Sequence, residues 1–155
     1  MRTGTKPCEI LLAEDNSADI VVVRQALEGH DVDCVLHVTR DGAEAIKWIE
    51  SLDSDPVFHS LDLVLLDMHL PKRGGEEILK RLQSTRRYSR TPVILMTSLD
   101  SRIVEEQGIK HPSLSYFRKP STLDEYMQLG LMVREILQKT NSPESADQSG
   151  PGGIA

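Results

Sequence analysis

The chain has 155 residues, 39% of them hydrophobic, and a formal charge of −6, which suits one domain with a core of its own. The acidic balance argues against unaided binding to nucleic acid, whose phosphates are held by clustered Lys and Arg. No apolar run approaches the ~20 residues that span a bilayer, and residues 1–7 carry no hydrophobic signal segment, so a cytoplasmic protein with no membrane partner is expected.

Short strand-like runs alternate with amphipathic helical segments, the pattern of a parallel sheet covered on both faces. The first strand is predicted at Cys8 to Ala13, and the first helix from Ser17 to Glu28 with Gly29 as its stop. A second strand, Asp33 to Val38, alternates more than the others, which suits an edge. The helix after Asp41-Gly42 turns Ile46 and Ile49 inward, with Trp48 as packing. Strand three is Leu61 to Leu66, and the third helix begins over Gly75 to Leu82. Strand four, Pro92 to Met96, is apolar enough to be buried on both faces, and a short polar helix follows from Ser101 to about Gly108.

Strand five, Leu114 to Phe117, leads to a last helix from Thr122 to Gln138. Tyr126, Leu129, Val133, Ile136 and Leu137 form its core face. Met127 and Leu131, four apart, lie on another side and are candidates for self-association. Beyond Lys139 the sequence is rich in Ser, Gly and Pro, so residues 140–155 are expected to be a disordered tail and residues 1–7 a flexible N-terminus.

Other features have modest readings. Cys8 and Cys34 border apolar runs outside any CxxC pattern, as small buried hydrophobes would. The five histidines lack zinc-ligand spacing. Lys80, Arg81, Arg86, Arg87 and Arg90 form a basic cluster that reads as a solvated helix end complementing a carbonyl pole.

In an open parallel sheet the functional crevice lies beyond the carboxyl ends of the strands. Strand one ends in Glu14-Asp15, strand three in Asp67, strand four in Thr97-Ser98, and strand five runs into Lys119-Pro120. If Asp15 and Asp67 approach within about 4 Å, they repel by about 4 kcal/mol at an effective dielectric near 20. Such a cluster holds protons or binds a cation. Oxygen-only ligands favour a hard, partly hydrated ion, Mg2+ with Mn2+ as a substitute. A cation, an ammonium and a hydroxyl together can receive a phosphoryl group, with a carboxylate as acceptor.

Glu14-Asp15, Asp67 with Pro71 and Gly75 after it, Thr97-Ser98, Tyr116 three before the lysine, and Lys119-Pro120 together resemble the receiver domain of two-component response regulators. The resemblance covers residues 8 to 139. Ala13-Glu-Asp-Asn-Ser-Ala-Asp19 and Leu-Pro-Lys-Arg-Gly-Gly are similar to stand-alone regulators that partner phytochrome-type sensor kinases. The resemblance implies an α/β fold like that of chemotaxis regulators, a doubly wound five-stranded parallel sheet of flavodoxin-like order 2-1-3-4-5 with helices on both faces.

It further implies that Asp67 is the phosphoacceptor, served by a phosphohistidine on a sensor histidine kinase. Asp15 and Asp67 would ligate Mg2+ directly, Glu14 through water and His69 through its backbone carbonyl. Thr97 and Lys119 would hold phosphoryl oxygens, Thr97 would move together with Tyr116, and the Lys119-Pro120 peptide would be cis. The expected function is a single-domain switch that presents a surface to a downstream protein, with no output domain attached.

Two departures stand out. Gly74 replaces a frequent acidic or amide residue, and His111-Pro112-Ser113 stiffens the turn before strand five. Two rival functions are a receiver-like scaffold that is never phosphorylated and a haloacid-dehalogenase-type phosphohydrolase. The latter needs a second acid two residues after the nucleophile, where this chain has His69.

Overall fold

The computed structural model describes residues 6–140. Five strands alternate with helices in chain order: β1 Cys8–Ala13, α1 Ser17–Gly29, β2 Cys34–Thr39, α2 Gly42–Ser54, β3 Leu63–Asp67, α3 Gly75–Gln83, β4 Val93–Thr97, α4 Ser101–Glu106, β5 Leu114–Arg118, α5 Leu123–Tyr126 and α6 Gln128–Thr140. All neighbouring strands pair in parallel in the order β2-β1-β3-β4-β5. This is the expected doubly wound sheet.

Its two faces follow from the period of two along each strand. Leu11, Ala13, Val64, Leu66, Val93 and Leu95 meet Ile46 and Ile49 of α2 and Ile78 and Leu82 of α3. Ile10, Leu12, Leu63, Leu65, Ile94 and Met96 meet Val23 and Leu27 of α1 and Leu129 and Val133 of α6. Burial on both faces is why β1, β3 and β4 read as continuous apolar runs. β2 is an edge strand, and its Val35 is exposed.

Short polar side chains start the helices beside the carboxyl edge of the sheet. Asn16 Oδ1 accepts from Asp19 N (3.0 Å) and Asp41 Oδ1 from Glu44 N (2.7 Å), each satisfying an amide that the first helical turn leaves unpaired. At Gly42 the chain makes a close approach that only glycine allows: a Cβ there would lie 1.8 Å from the carbonyl oxygen of Arg73. Gly42 N also donates to Pro71 O (3.1 Å), so the start of α2 braces the loop that follows β3.

Several expectations change. The last helix is two, α5 and α6, separated at Met127, where Gly130 N takes a tight bond to Met127 O (3.0 Å). Strand three starts at Leu63; just ahead of it Asp62 N donates to Glu9 O of β1 and Leu61 O accepts from the Thr91 hydroxyl. Met127 has an intramolecular use: it packs on the α1 side core and its Cε fills the space over Gly29, 2.3 Å from where a Cβ would sit. Leu131 is half-buried.

Arg87 is not a solvated helix end. Its guanidinium donates to the carbonyls of Asp53, Asp55 and Val57 and lies over the Phe58 ring, clamping the carboxyl end of α2. Cys8 is buried and Cys34 half-buried. Thr140 is the last residue of α6, its hydroxyl bonded to Ile136 O and Leu137 O (3.2 Å each). The rest of the expected tail, and residues 1–5 of the expected flexible N-terminus, lie outside the described residues.

Candidate functional site

Parallel strands deliver their carboxyl ends to one edge, and the register places Ala13 beside Leu66 and Asp67 beside Met96. The residues that follow are therefore neighbours. Glu14, Asp15 and Asp67 each offer a carboxylate oxygen, and these oxygens lie within 4.8 Å of one another. Glu14 and Asp67 are buried while Asp15 faces solvent.

Lys119, just past β5, reaches into this cluster. Its Nζ donates to Glu14 Oε1 (2.8 Å), Asp19 Oδ2 (3.1 Å) and Asp67 Oδ2 (3.2 Å). An ammonium has three donors, so all are engaged. The other Asp67 oxygen, Oδ1, accepts from His69 N (2.9 Å). Lys119 N donates to Thr97 O (2.8 Å), tying its backbone to the end of β4.

The electrostatics follow from too many acids around one cation. Burial first, then the hydrogen bond with Asp67, pushes the Glu14 carboxyl from 4.5 up to about 7, although Lys119 pulls the other way. For Lys119, burial alone would favour the neutral amine. Its bond to Glu14, the charges of Asp67 and Glu14 and its bond to Asp19 more than reverse this, raising it above the ordinary lysine range. The shared contact thus holds the ammonium charged but leaves Glu14 under-compensated.

This donor set fits a hard divalent ion: three clustered carboxylates, one already inclined to hold a proton, with Asp15 open to water. His69 is exposed, and its backbone amide, not its imidazole, is what engages Asp67.

The other expected residues, Thr97 and Tyr116, make no side-chain hydrogen bond to the acids among the described residues. Thr97 is buried at the end of β4, and its hydroxyl accepts from Leu99 N (3.0 Å). Tyr116 is half-buried on β5, packed against the core, its phenol raised by burial and then by the Glu105 charge. No cis peptide bond occurs among the described residues, so Lys119-Pro120 is trans. Trans is the better-populated form of an X-Pro bond, and from it the Lys119 ammonium already reaches its three acids.

Asp19 was not anticipated as a partner of Lys119. The available signal was its place three residues after the cap Asn16, in the first turn of α1, which directs its carboxylate back over the strand ends. A separate cavity of about 390 Å³, lined by Gln83, Arg90, Lys110 and His111 among others, lies by the segments leading into β4 and β5, away from the acids.

The model of the response regulator receiver domain family matches residues 10–129. The chain belongs to that family. Among curated relatives, this receiver domain is 33% identical over 92 residues to response regulator Rcp1 of Synechocystis sp. (strain ATCC 27184 / PCC 6803 / Kazusa), a match covering 59% of this chain and 63% of Rcp1. It is 31% identical to the transcriptional regulatory protein TrcR of Mycobacterium tuberculosis (strain ATCC 25618 / H37Rv) over 92% of this chain, but spans only 50% of TrcR. The chain therefore spans between half and two thirds of the length of these relatives.

Among solved structures, the receiver domain superposes on the phosphorylated cyanobacterial phytochrome response regulator RcpA with a TM-score of 0.72 and 28% identity, covering 88% of this chain and 97% of that one. It is also similar to the Mn(2+)-bound form of Rcp1, with a TM-score of 0.66 and 26% identity, covering 88% of this chain and 96% of the other.

Proposed function

We propose that this receiver domain accepts a phosphoryl group on Asp67 and thereby switches a protein-binding surface. The observation that carries this reading is the reach of Lys119 Nζ to Glu14, Asp19 and Asp67 at one edge of the sheet, with Asp15 beside them. The donor is a phosphohistidine on a cytoplasmic sensor kinase, and its similarity to Rcp1 and RcpA supports one of phytochrome type.

In the transfer an Asp67 carboxylate oxygen forms the new O–P bond as the P–N bond of the phosphohistidine breaks. The leaving imidazole keeps the electron pair and takes a proton from solvent. Glu14, Asp15 and Asp67 would hold Mg2+, or Mn2+ in its place, with the His69 carbonyl as a further ligand. The bound ion supplies positive charge that offsets repulsion between these acids and the incoming group. Lys119 neutralises the phosphoryl oxygens, and its anchorage to Thr97 O keeps it at the mouth of the site. The Thr97 hydroxyl, which accepts from Leu99 N, turns to donate to a phosphoryl oxygen, and Tyr116 follows inward, altering the surface offered to a downstream protein.

The test is intact mass after incubation with Mg2+ and a small-molecule phosphodonor. One labile added phosphate on the wild type and none on Asp67→Asn is the expected result. An unchanged wild-type mass favours the scaffold reading, and sustained hydrolysis of unrelated phosphoesters favours an enzyme.

A further inference from the structure

The three acids that take the Lys119 ammonium are of two kinds. Glu14 (2.8 Å) and Asp67 (3.2 Å) also belong to the carboxylate cluster that fits a divalent ion, whereas Asp19 (3.1 Å) lies outside that cluster. Asp15 is the converse: it is a member of the cluster and, among the described residues, makes no bond to the ammonium.

Asp19 is held by its own helix. Asn16 Oδ1 accepts from Asp19 N (3.0 Å), which fixes the first turn of α1. Its side chain is 28% exposed, against 0% for Glu14 and 8% for Asp67, so water supports its charge with no metal nearby. An acid in a first helical turn has an ordinary use in complementing the positive pole of the helix. That use needs no partner, yet Asp19 Oδ2 meets an ammonium 100 residues away in sequence.

An ion bound by Glu14, Asp15 and Asp67 would bring two positive charges beside an ammonium that leans on two of the same acids. A carboxylate that shares its charge with the ion has less left for Lys119, and the two cations repel. Asp19 is the contact that the ion does not weaken.

We propose that Asp19 is a positioning residue, which keeps the Lys119 ammonium in the site while a divalent ion draws on Glu14 and Asp67. Both cations are then present for an incoming anion. The inference rests on the ion site proposed above and not on which carboxylate is phosphorylated.

The test obtains the Mg2+ affinity of the full chain from the rise of melting temperature with Mg2+ concentration, in the wild type, Asp19→Asn, Lys119→Met and the double variant. Asp19→Asn should bind Mg2+ about three- to fivefold more weakly, the size of a partly exposed ion pair, because Lys119 then rests only on acids that the ion needs. In the Lys119→Met background the same substitution should cost clearly less, since no ammonium remains to be placed. An acid that served only the helix pole would alter the metal-free melting temperature and leave Mg2+ affinity alone. That result, or an equal loss in both backgrounds, overturns the inference. A crystal structure of the wild type with Mg2+ gives a second reading that needs no variant: Lys119 Nζ should remain within hydrogen-bonding distance of Asp19, and an ammonium that has left Asp19 overturns the inference. A wild type whose melting temperature does not respond to Mg2+ overturns the ion site and this inference with it.

Discussion

Lys119 Nζ stands 2.8 Å from the fully buried Glu14 Oε1, closer than its 3.2 Å to Asp67 Oδ2. The ammonium of the resting domain is thus held on the acid proposed to bind metal through water, with the proposed acceptor as its longest contact. A metal ion held by these acids would compete with Lys119 for their oxygens, and a phosphoryl group would compete with them for the ammonium.

Removing that ammonium should destabilise the metal-free protein. Breaking a buried pair by deleting one partner costs about 3–5 kcal/mol when the other charge has no escape. Glu14 has an escape, because it takes up a proton near neutrality. Lys119→Met should therefore lose more stability at pH 8 than at pH 6 in urea denaturation, and Mg2+ should restore part of it. A loss independent of pH would mean that Glu14 is not what the ammonium supports.

The Glu14 carboxyl also sets a direct pH dependence. Its folded value of about 7 stands above its ordinary 4.5, so between those values the folded chain keeps a proton that the unfolded chain has released. The stability contributed is fully present below about 4.5 and is lost as pH rises through about 7. Thermal melts of the metal-free protein from pH 5.5 to 8 should fall for this reason, and Glu14→Gln should flatten the slope. Because a cation replaces that proton, the stabilisation by Mg2+ should grow over the same range.

The brace between α2 and the loop after β3 is testable at Gly42. A Cβ 1.8 Å from Arg73 O must move backbone, and overpacking of this kind costs about 1–3 kcal/mol. Gly42→Ala should lower stability and, by shifting the loop that carries His69, weaken the melting-temperature gain from Mg2+. An Ala variant with wild-type stability and metal response would show the brace to be slack.

Gly74 offers a gain. It is the N-cap of α3 at φ −80 and ψ 171 with no side-chain cap bond, and a Cβ there meets nothing within 4 Å. Gly74→Asn supplies the missing acceptor and restricts the unfolded chain, together worth up to about 1 kcal/mol. Urea midpoints should rise modestly.

The sheet was legible because β1, β3 and β4 are buried on both faces and must be continuously apolar, and because polar residues break the pattern at each strand end. Glu14, Asp15, Asp67 and Lys119 were legible as a group for the same reason: parallel strands bring their ends to one edge whatever lies between them. What sequence periodicity could not reveal is set by contacts across the fold. The break at Met127 leaves the apolar face of the last helix intact, so α5 and α6 read as one. Met127 looked free because its partner, Gly29, is distant in sequence and contributes only space. Arg87 looked like one more surface cation because the carbonyls it clamps, those of Asp53, Asp55 and Val57 at and just beyond the end of α2, lie 30 to 34 residues away in sequence. Asp19 sits in a helical first turn, where acids are ordinary, and only the reach of Lys119 distinguishes it.

The most direct measurement is the location of the acquired phosphate. The domain would be phosphorylated with Mg2+ and a small phosphodonor, the acyl phosphate reduced with borohydride, and the peptides sequenced by mass spectrometry. Conversion of Asp67 alone to homoserine is the expected result. Conversion of another carboxylate, or of none while Mg2+ is demonstrably bound, would contradict the assignment of Asp67 as acceptor.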